Sequence, residues 1–439
     1  MDRKLLITNA KHNDYLFAGH AGAGPSSAHR WMGCTGSLEL SKMFLETLTE
    51  EQQGQFALAS TAARQGTTAH AAAEIRARGA LGLATPEEVS TELMYLTYDK
   101  DEDESYSDDM ERHLQEYLDL IDAYRKERGN QCVRLETLTS AIVPLSGDYE
   151  GTHYQIGGTA DLLVEPDGKR SPELVIGDLK YGTEPVEVEA NPQLRIYALG
   201  YLSEGGFLET TSRLPSGVPK KITYHIIQPR NGGISTWSEP VRSLLKWRDE
   251  VLSPALTAAL FGADAGATFN PSLSNCQWCP AKGTCAALAG QRMEEAADLF
   301  DAIVEAPGDD VKAMSLSDAE LGKLLQQALG LTTLADDLKE EVNRRLLRGT
   351  SVPGFKLVSY TPPRRWKPEA AEALAEVEDI WESKLITPAK AIKAFGDQAA
   401  MLDDLIDTPN KRPVTAPEND RRKEWVGADP ETMFKIEGD

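Results

Sequence analysis

The stretch Leu174-Val175-Ile176-Gly177-Asp178-Leu179-Lys180-Tyr181-Gly182 constrains this chain most. Its short apolar run reads as a buried strand. Side chains alternate along a strand, so Asp178 and Lys180 share a face at its end. An acid beside a lysine suits hydrolysis assisted by a divalent metal: the acid holds the ion and the lysine steadies a water or a developing negative charge. The ordinary alternative is a surface ion pair, so the decision falls to the partners supplied elsewhere.

The flanking pattern is mixed. Residues 1–25 read as a flexible lead rich in glycine and alanine. Ser26-Ser27 reads as an N-cap for a helix through Arg30, Trp31, Cys34 and Leu38. Helices are expected over 57–80 and over Met110–Lys126. Strands are expected over Val133–Val143, over Tyr154–Val164 with a kink at Gly157-Gly158, and over Ile222–Gln228. Asn191-Pro192 starts a helix, and 237–260 reads as helical. The middle is therefore an α/β core, a mixed central sheet flanked by helices. Helices over 286–305 and 316–348 and a strand over 353–360 make a mainly helical C-terminal extension. The expected divisions are 1–25, 26–290, 291–349 and 350–439.

With 439 residues, the chain is long enough for two or three domains. No run approaches a membrane span, and a cytoplasmic location is expected. The net charge of −23 argues against a polyanion partner for the chain as a whole, yet says little about one groove. The run from Asp99 to Glu111 carries much of the acid and reads as a solvated loop and helix start.

Several side chains can join Asp178. Asp161 lies on the strand before it. His70 and Glu74 stand four apart on one helix, as do Gln193 and Tyr197 on the helix after it. A hard divalent cation takes oxygen ligands, and an imidazole tips the preference from Mg2+ toward Mn2+. Taken singly, each has a plain structural role: a cap, a surface pair or ordinary helix residues.

Taken in order, Gly66-Thr67-Thr68-Ala69-His70-Ala71-Ala72-Ala73-Glu74, Gly158-Thr159-Ala160-Asp161, Gly177-Asp178-Leu179-Lys180-Tyr181-Gly182 and Gln193-Leu194-Arg195-Ile196-Tyr197 resemble the motifs of RecB-like nucleases of the PD-(D/E)xK superfamily. The resemblance implies a restriction-endonuclease-like core over roughly residues 26–290. His70, Asp161 and Asp178 would be the ligands for Mg2+ or Mn2+, with the Leu179 carbonyl completing the site. Lys180 would be the catalytic lysine, with Glu74 in support. Gln193 and Tyr197 would position the substrate. Asp178 stands where the family more often has glutamate.

Cys276-x2-Cys279-x5-Cys285 puts three thiols in one short loop, and Cys34 stands far upstream. In a cytosolic protein this spacing points to metal rather than disulfides. One early cysteine and a late triplet resemble the iron–sulfur staple of CRISPR-associated RecB-like nucleases and AddB. That implies a [4Fe–4S] cluster, with Zn2+ as the alternative. Cys132 is left as a core residue. Arg30, one turn from Cys34, and Arg230, at a strand end, are candidate DNA contacts; Trp31 is more readily a core residue. Other basic residues, Arg195 among them, flank the motifs.

The implied function is a metal-dependent DNA exonuclease acting in recombination, repair or end processing. The likeness is strongest to phage- or prophage-encoded members, which would place it in the host cytoplasm. Its implied partners are DNA, as single strands or duplex ends, and a single-strand annealing protein, with self-association open. The alternative is a catalytically silent, cluster-bearing subunit for DNA binding or assembly.

Overall fold

A computed structural model describes residues 6–7, 16–17, 20–49, 61–98, 105–167, 171–205, 218–304, 318–360, 365–367, 387–395, 402, 404–407 and 412–417. The chain forms two units, Met1–Glu294 and Glu295–Asp439.

The first unit is built on a mixed sheet. Its strands are β1 (Leu6–Ile7), β2 (Val133–Pro144), β3 (His153–Val164), β4 (Glu173–Leu179), β5 (Lys221–Gln228) and β6 (Gly233–Pro240). β2 runs antiparallel along one edge of β3. The other edge of β3 takes the short parallel β1 at its start and the antiparallel β4 at its end. β4 and β5 are parallel, and β6 closes a hairpin on β5.

Each face of the sheet has its own apolar layer. Leu174, Ile176, Ile222, Tyr224 and Ile226 belong to one, with Trp31, Leu194 and Leu199. Val175, Leu179, Leu162 and Ile227 belong to the other, with Leu114, Tyr117 and Ile121. Alternation along β4 therefore feeds both layers, which is why its sequence has no polar face. The covering helices are α1 (Ala28–Gly33), α2 (Ser37–Glu46), α3 (Thr61–Ala80), α4 (Pro86–Tyr98), α5 (Asp108–Arg128), α6 (Pro192–Glu204), α7 (Val241–Trp247) and α8 (Ser253–Phe261). The Ser107 hydroxyl caps α5 by accepting from the Met110 amide, and three acids occupy the first turn. Three acids at the end of the 99–111 run, Asp108, Asp109 and Glu111, thus start a helix; 99–104 lie outside the described residues. Among the described residues no helix is long and apolar enough to cross a membrane.

Several expectations change. The helix expected through Cys34 is broken between α1 and α2, which leaves Cys34 at the corner. Ser27 caps nothing; its hydroxyl donates to the Gly22 and Gly24 carbonyls. Gly157-Gly158 does not divide β3. A Cβ at Gly157 would lie 2.6 Å from the Thr139 carbonyl oxygen, so glycine there answers to strand packing. Trp237 lies in β6, not in a helix. The Gly232-Gly233 turn, with φ of 83° and 78°, folds β6 back on β5, and Trp237 stacks on Tyr224. Arg195 is not a free cation, because its guanidinium meets Glu239 through two hydrogen bonds of 3.0 and 2.9 Å. Trp31 and Cys132 are core residues, as expected.

His225 on β5 carries one prediction. It pairs with the Tyr124 hydroxyl at 2.7 Å and with Thr236 Oγ1 at 2.9 Å, and burial pushes its pKa down to about 4. In the unfolded chain the imidazole titrates near ~6.5. Between these values the unfolded chain takes up a proton that the folded chain refuses. Stability from this residue is therefore complete above about pH 6.5 and lost as pH falls toward 4, by up to about 3 kcal/mol. Urea midpoints measured from pH 7 to 4.5 should show this slope in wild type and lack it in His225→Gln. Parallel curves for the two proteins would refute it.

In the second unit, described by itself, α9 (Ala286–Val304) crosses the boundary and is followed by α10 (Asp318–Leu347). β7 (Phe355–Tyr360) pairs antiparallel with β8 (Arg412–Pro417). Along α10, Leu334 is buried, whereas Leu325, Leu329 and Leu338 are exposed. Residues 361–364 lie outside the described residues.

Candidate active site

β4 ends by delivering Asp178 and Lys180 to a cavity of about 590 Å3. The β3–β4 register pairs Leu162 with Gly177, which sets Asp161 across from Asp178. Asp161 Oδ2 accepts the Leu179 amide at 2.6 Å, so the backbone of β4 fixes that carboxylate. His70 comes from α3, whose buried Ala69, Ala72, Ala73 and Ala77 let the helix lie close to its neighbours. Its Nδ1 stands 3.4 Å from Asp161 Oδ1. Gln193 and Tyr197 come from the first turns of α6. Asn191 Oδ1 caps that helix by accepting the amides of Gln193 and Leu194, and Pro192 opens it.

Gln193 ties the group together. Its amide nitrogen donates to Asp178 Oδ1 at 2.8 Å and to the Tyr197 hydroxyl at 2.9 Å, while its oxygen accepts from Lys180 Nζ at 3.1 Å. Lys180 Nζ also stands 2.7 Å from Asp178 Oδ2. That approach is poorly aligned for a hydrogen bond, so Oδ2 is buried with an ionic neighbour and no directed donor. Gly158 keeps the cavity open: a Cβ there would lie 3.1 Å from the Tyr197 ring and 3.3 Å from Pro25.

The site carries excess negative charge. Burial lowers the affinity of His70 for a proton, but Asp161 and Asp178 overcome it and raise its pKa. Burial likewise opposes the charge on Lys180, and Asp178 reverses that effect. Burial, together with Asp161, holds the Asp178 carboxyl above its usual range against the pull of Lys180. Glu136 is pushed up to about 7 by burial and by Asp161. An added cation would bring the Asp178 and Glu136 carboxyls back down, and this donor set of carboxylates and one imidazole fits a divalent ion of the Mg2+ or Mn2+ kind.

The structure thus gathers His70, Asp161, Asp178, Lys180, Gln193 and Tyr197 around one cavity. It does not line that cavity with the others. Glu74 sits one turn beyond His70 and faces Arg78 at 3.9 Å. Arg30 donates to Ser41 Oγ at 3.2 Å from a helix of six residues. Arg230 lies over the Tyr181 ring, 5.1 Å from its centroid, and donates to Gln65 at 3.3 Å. Three contributors went unread in the sequence. Pro25 and Ser26, the first at the end of the supposed lead, line the cavity. Glu136 groups with His70 and Asp161, their ligand atoms all lying within 4.8 Å of one another. Leu135-Glu136-Thr137 is ordinary strand sequence, and only the strand register marks it.

Cys34 and Cys276 each respond to other members of the expected set of four. Burial raises the thiol pKa of Cys34, and Cys279 and Cys285 raise it further. Cys276 is raised by burial and then by Cys279, Cys285 and Cys34. Cys132 answers to burial, Asp167 and Glu165 instead. The corner holding Cys34 is sewn to the later loop. The Asn270 amide donates to Cys34 Sγ at 3.3 Å, the Gly36 amide to the Thr268 carbonyl at 2.9 Å, and Asn270 Nδ2 to the Gly33 carbonyl at 3.1 Å. No three of the thiols lie within 4.8 Å of one another. Tetrahedral zinc, with bonds of about 2.3 Å, needs sulfurs about 3.8 Å apart.

The sequence pattern of a family described as a protein of unknown function, DUF2800, matches residues 20–423. The chain belongs to this family. In this DUF2800 member the matched span takes in every site residue named above and reaches into both structural units. A solved structure described as the crystal structure of SSO0001 aligns with 57% of the DUF2800 chain and 94% of its own length, at 13% identity and a TM-score of 0.22. At that score the likeness carries no weight for the fold.

Proposed function

We propose that this protein is a metal-dependent deoxyribonuclease of the RecB-like PD-(D/E)xK kind, an exonuclease that serves recombination, repair or end processing. The observation that carries this reading is the convergence of His70, Asp161, Asp178 and Lys180 on one cavity, with Gln193 bonded to both members of the acid–lysine pair. A divalent ion at His70, Asp161 and Asp178 would supply a polarised water and positive charge beside the phosphate. Lys180 orients the attacking water and steadies the charge that develops on the phosphate oxygens. Gln193 holds Lys180 and Asp178 in register, so its first task is positioning. Tyr197, hydrogen-bonded to Gln193, forms the wall beside the substrate.

Cys34, Cys276, Cys279 and Cys285 would hold a [4Fe–4S] cluster that joins the α1–α2 corner to the loop after α8, with Zn2+ as the competing occupant. The partners that follow from this reading are DNA ends and a single-strand annealing protein. The deciding experiment digests end-labelled linear DNA with anaerobically purified protein in Mn2+ or Mg2+, with a chelator control and with RNA and closed circular DNA in parallel. Release of mononucleotides or short fragments from linear DNA, abolished by the chelator, is expected. No hydrolysis of linear DNA with either metal refutes the reading.

A further inference from the structure

We propose that Glu136 is a metal ligand, completing with His70 and Asp161 a second face of the divalent-cation site; this rests on the metal centre proposed above. The sheet itself makes the case. β2 pairs with β3 so that Leu135 meets Leu162 and Thr137 meets Ala160, which sets Glu136 across from Asp161. Asp161 in turn stands across from Asp178. Three carboxylates on three neighbouring strands therefore form one row, with His70 reaching it from α3.

Ligand atoms of His70, Glu136 and Asp161 lie within 4.8 Å of one another. Ligands on opposite sides of an ion with bonds of about 2.1 Å are about 4.2 Å apart, so a small adjustment seats a cation among them. The Glu136 backbone has left the strand region, at φ 43°, a conformation uncommon for this residue type. Its carboxylate makes no hydrogen bond or ion pair with the described residues. A second observation points the same way. At the end of the row the Lys180 ammonium is committed to the buried Asp178, 2.7 Å from its Oδ2, and forms no ion pair with Glu136. Carboxylates this close repel unless a cation stands among them.

The test is Mn2+ binding by the full-length protein stripped of divalent ions, followed by calorimetry and by the signal of free Mn2+. Glu136→Gln removes the charge at equal size. Glu136→Asn also removes it and suits the left-handed backbone. Both variants are expected to bind Mn2+ at least tenfold more weakly, with a metal-free melting temperature no lower than wild type. Mn2+ affinity within twofold of wild type in either variant overturns the proposal. A metal-free melting temperature that falls in both variants also overturns it, because the role would then be structural. Neither readout uses DNA. A protein that fails to cut DNA but loses Mn2+ with Glu136→Gln would sink the nuclease reading alone.

Discussion

Replacing Lys180 with alanine should lower DNA cleavage by about 10^3-fold, the scale of losing one preorganised charge at a transition state. DNA affinity should stay within a few-fold of wild type, because one cation is a small part of a phosphate-tracking surface. The geometry adds a second signature. Lys180 Nζ stands 2.7 Å from Asp178 Oδ2 and so occupies part of the space and charge that a divalent ion would use. Removing it leaves the buried Asp178 carboxylate without its cation, which destabilises the metal-free protein at neutral pH. Mn2+ should therefore bind Lys180→Ala as tightly as wild type or more tightly, and should restore much of the lost stability. Cleavage assays, DNA binding and melting curves with and without Mn2+ test all three. Unimpaired cleavage would remove Lys180 from the mechanism. Lost cleavage with equally lost Mn2+ binding would make its role structural.

Replacing Cys279 with serine should abolish the broad visible absorbance of the anaerobically purified protein and lower its melting temperature, on the order of 10 °C. The size follows from what the four thiols join. Cys34 sits at the break between α1 and α2, and Cys276, Cys279 and Cys285 belong to a loop more than two hundred residues later. The described hydrogen bonds between Gly33–Gly36 and Thr268–Asn270 are few, so the proposed cluster would supply much of the closure. The same change at Cys132, a buried residue of the α3–α5 layer, should leave the absorbance intact. A colourless wild-type protein containing one zinc would replace iron with zinc and keep the stability prediction. Unchanged absorbance and melting in Cys279→Ser would dissolve the cluster altogether.

Parts of this site were legible because they rest on local chemistry. An apolar run ending in Asp178-Leu179-Lys180 reads as a strand carrying an acid and a lysine on one face, whatever surrounds it. Asn191-Pro192 announces a helix start through a cap and a fixed φ, and that placed Gln193 and Tyr197 correctly. Other parts misled for equally physical reasons. Gly157-Gly158 reads as a kink, but packing against Thr139 demands glycine inside a straight strand. Residues 237–240 read as helix, yet the two left-handed glycines before them had already committed the chain to a hairpin. Arg195 and Arg230 read as free cations until Glu239 and Tyr181 were found beside them.

By itself the sequence determined the α/β class and the identity of the acid–lysine strand, because apolar period and cap chemistry act over a few residues. Only the tertiary structure decided which acids share one row. Glu136 is 25 residues from Asp161, and Asp161 is 17 from Asp178. Their meeting depends on strand register, where a slip of one residue would turn each to the opposite face. Register is fixed by the packing of both sheet faces at once, and no short window of sequence contains that information.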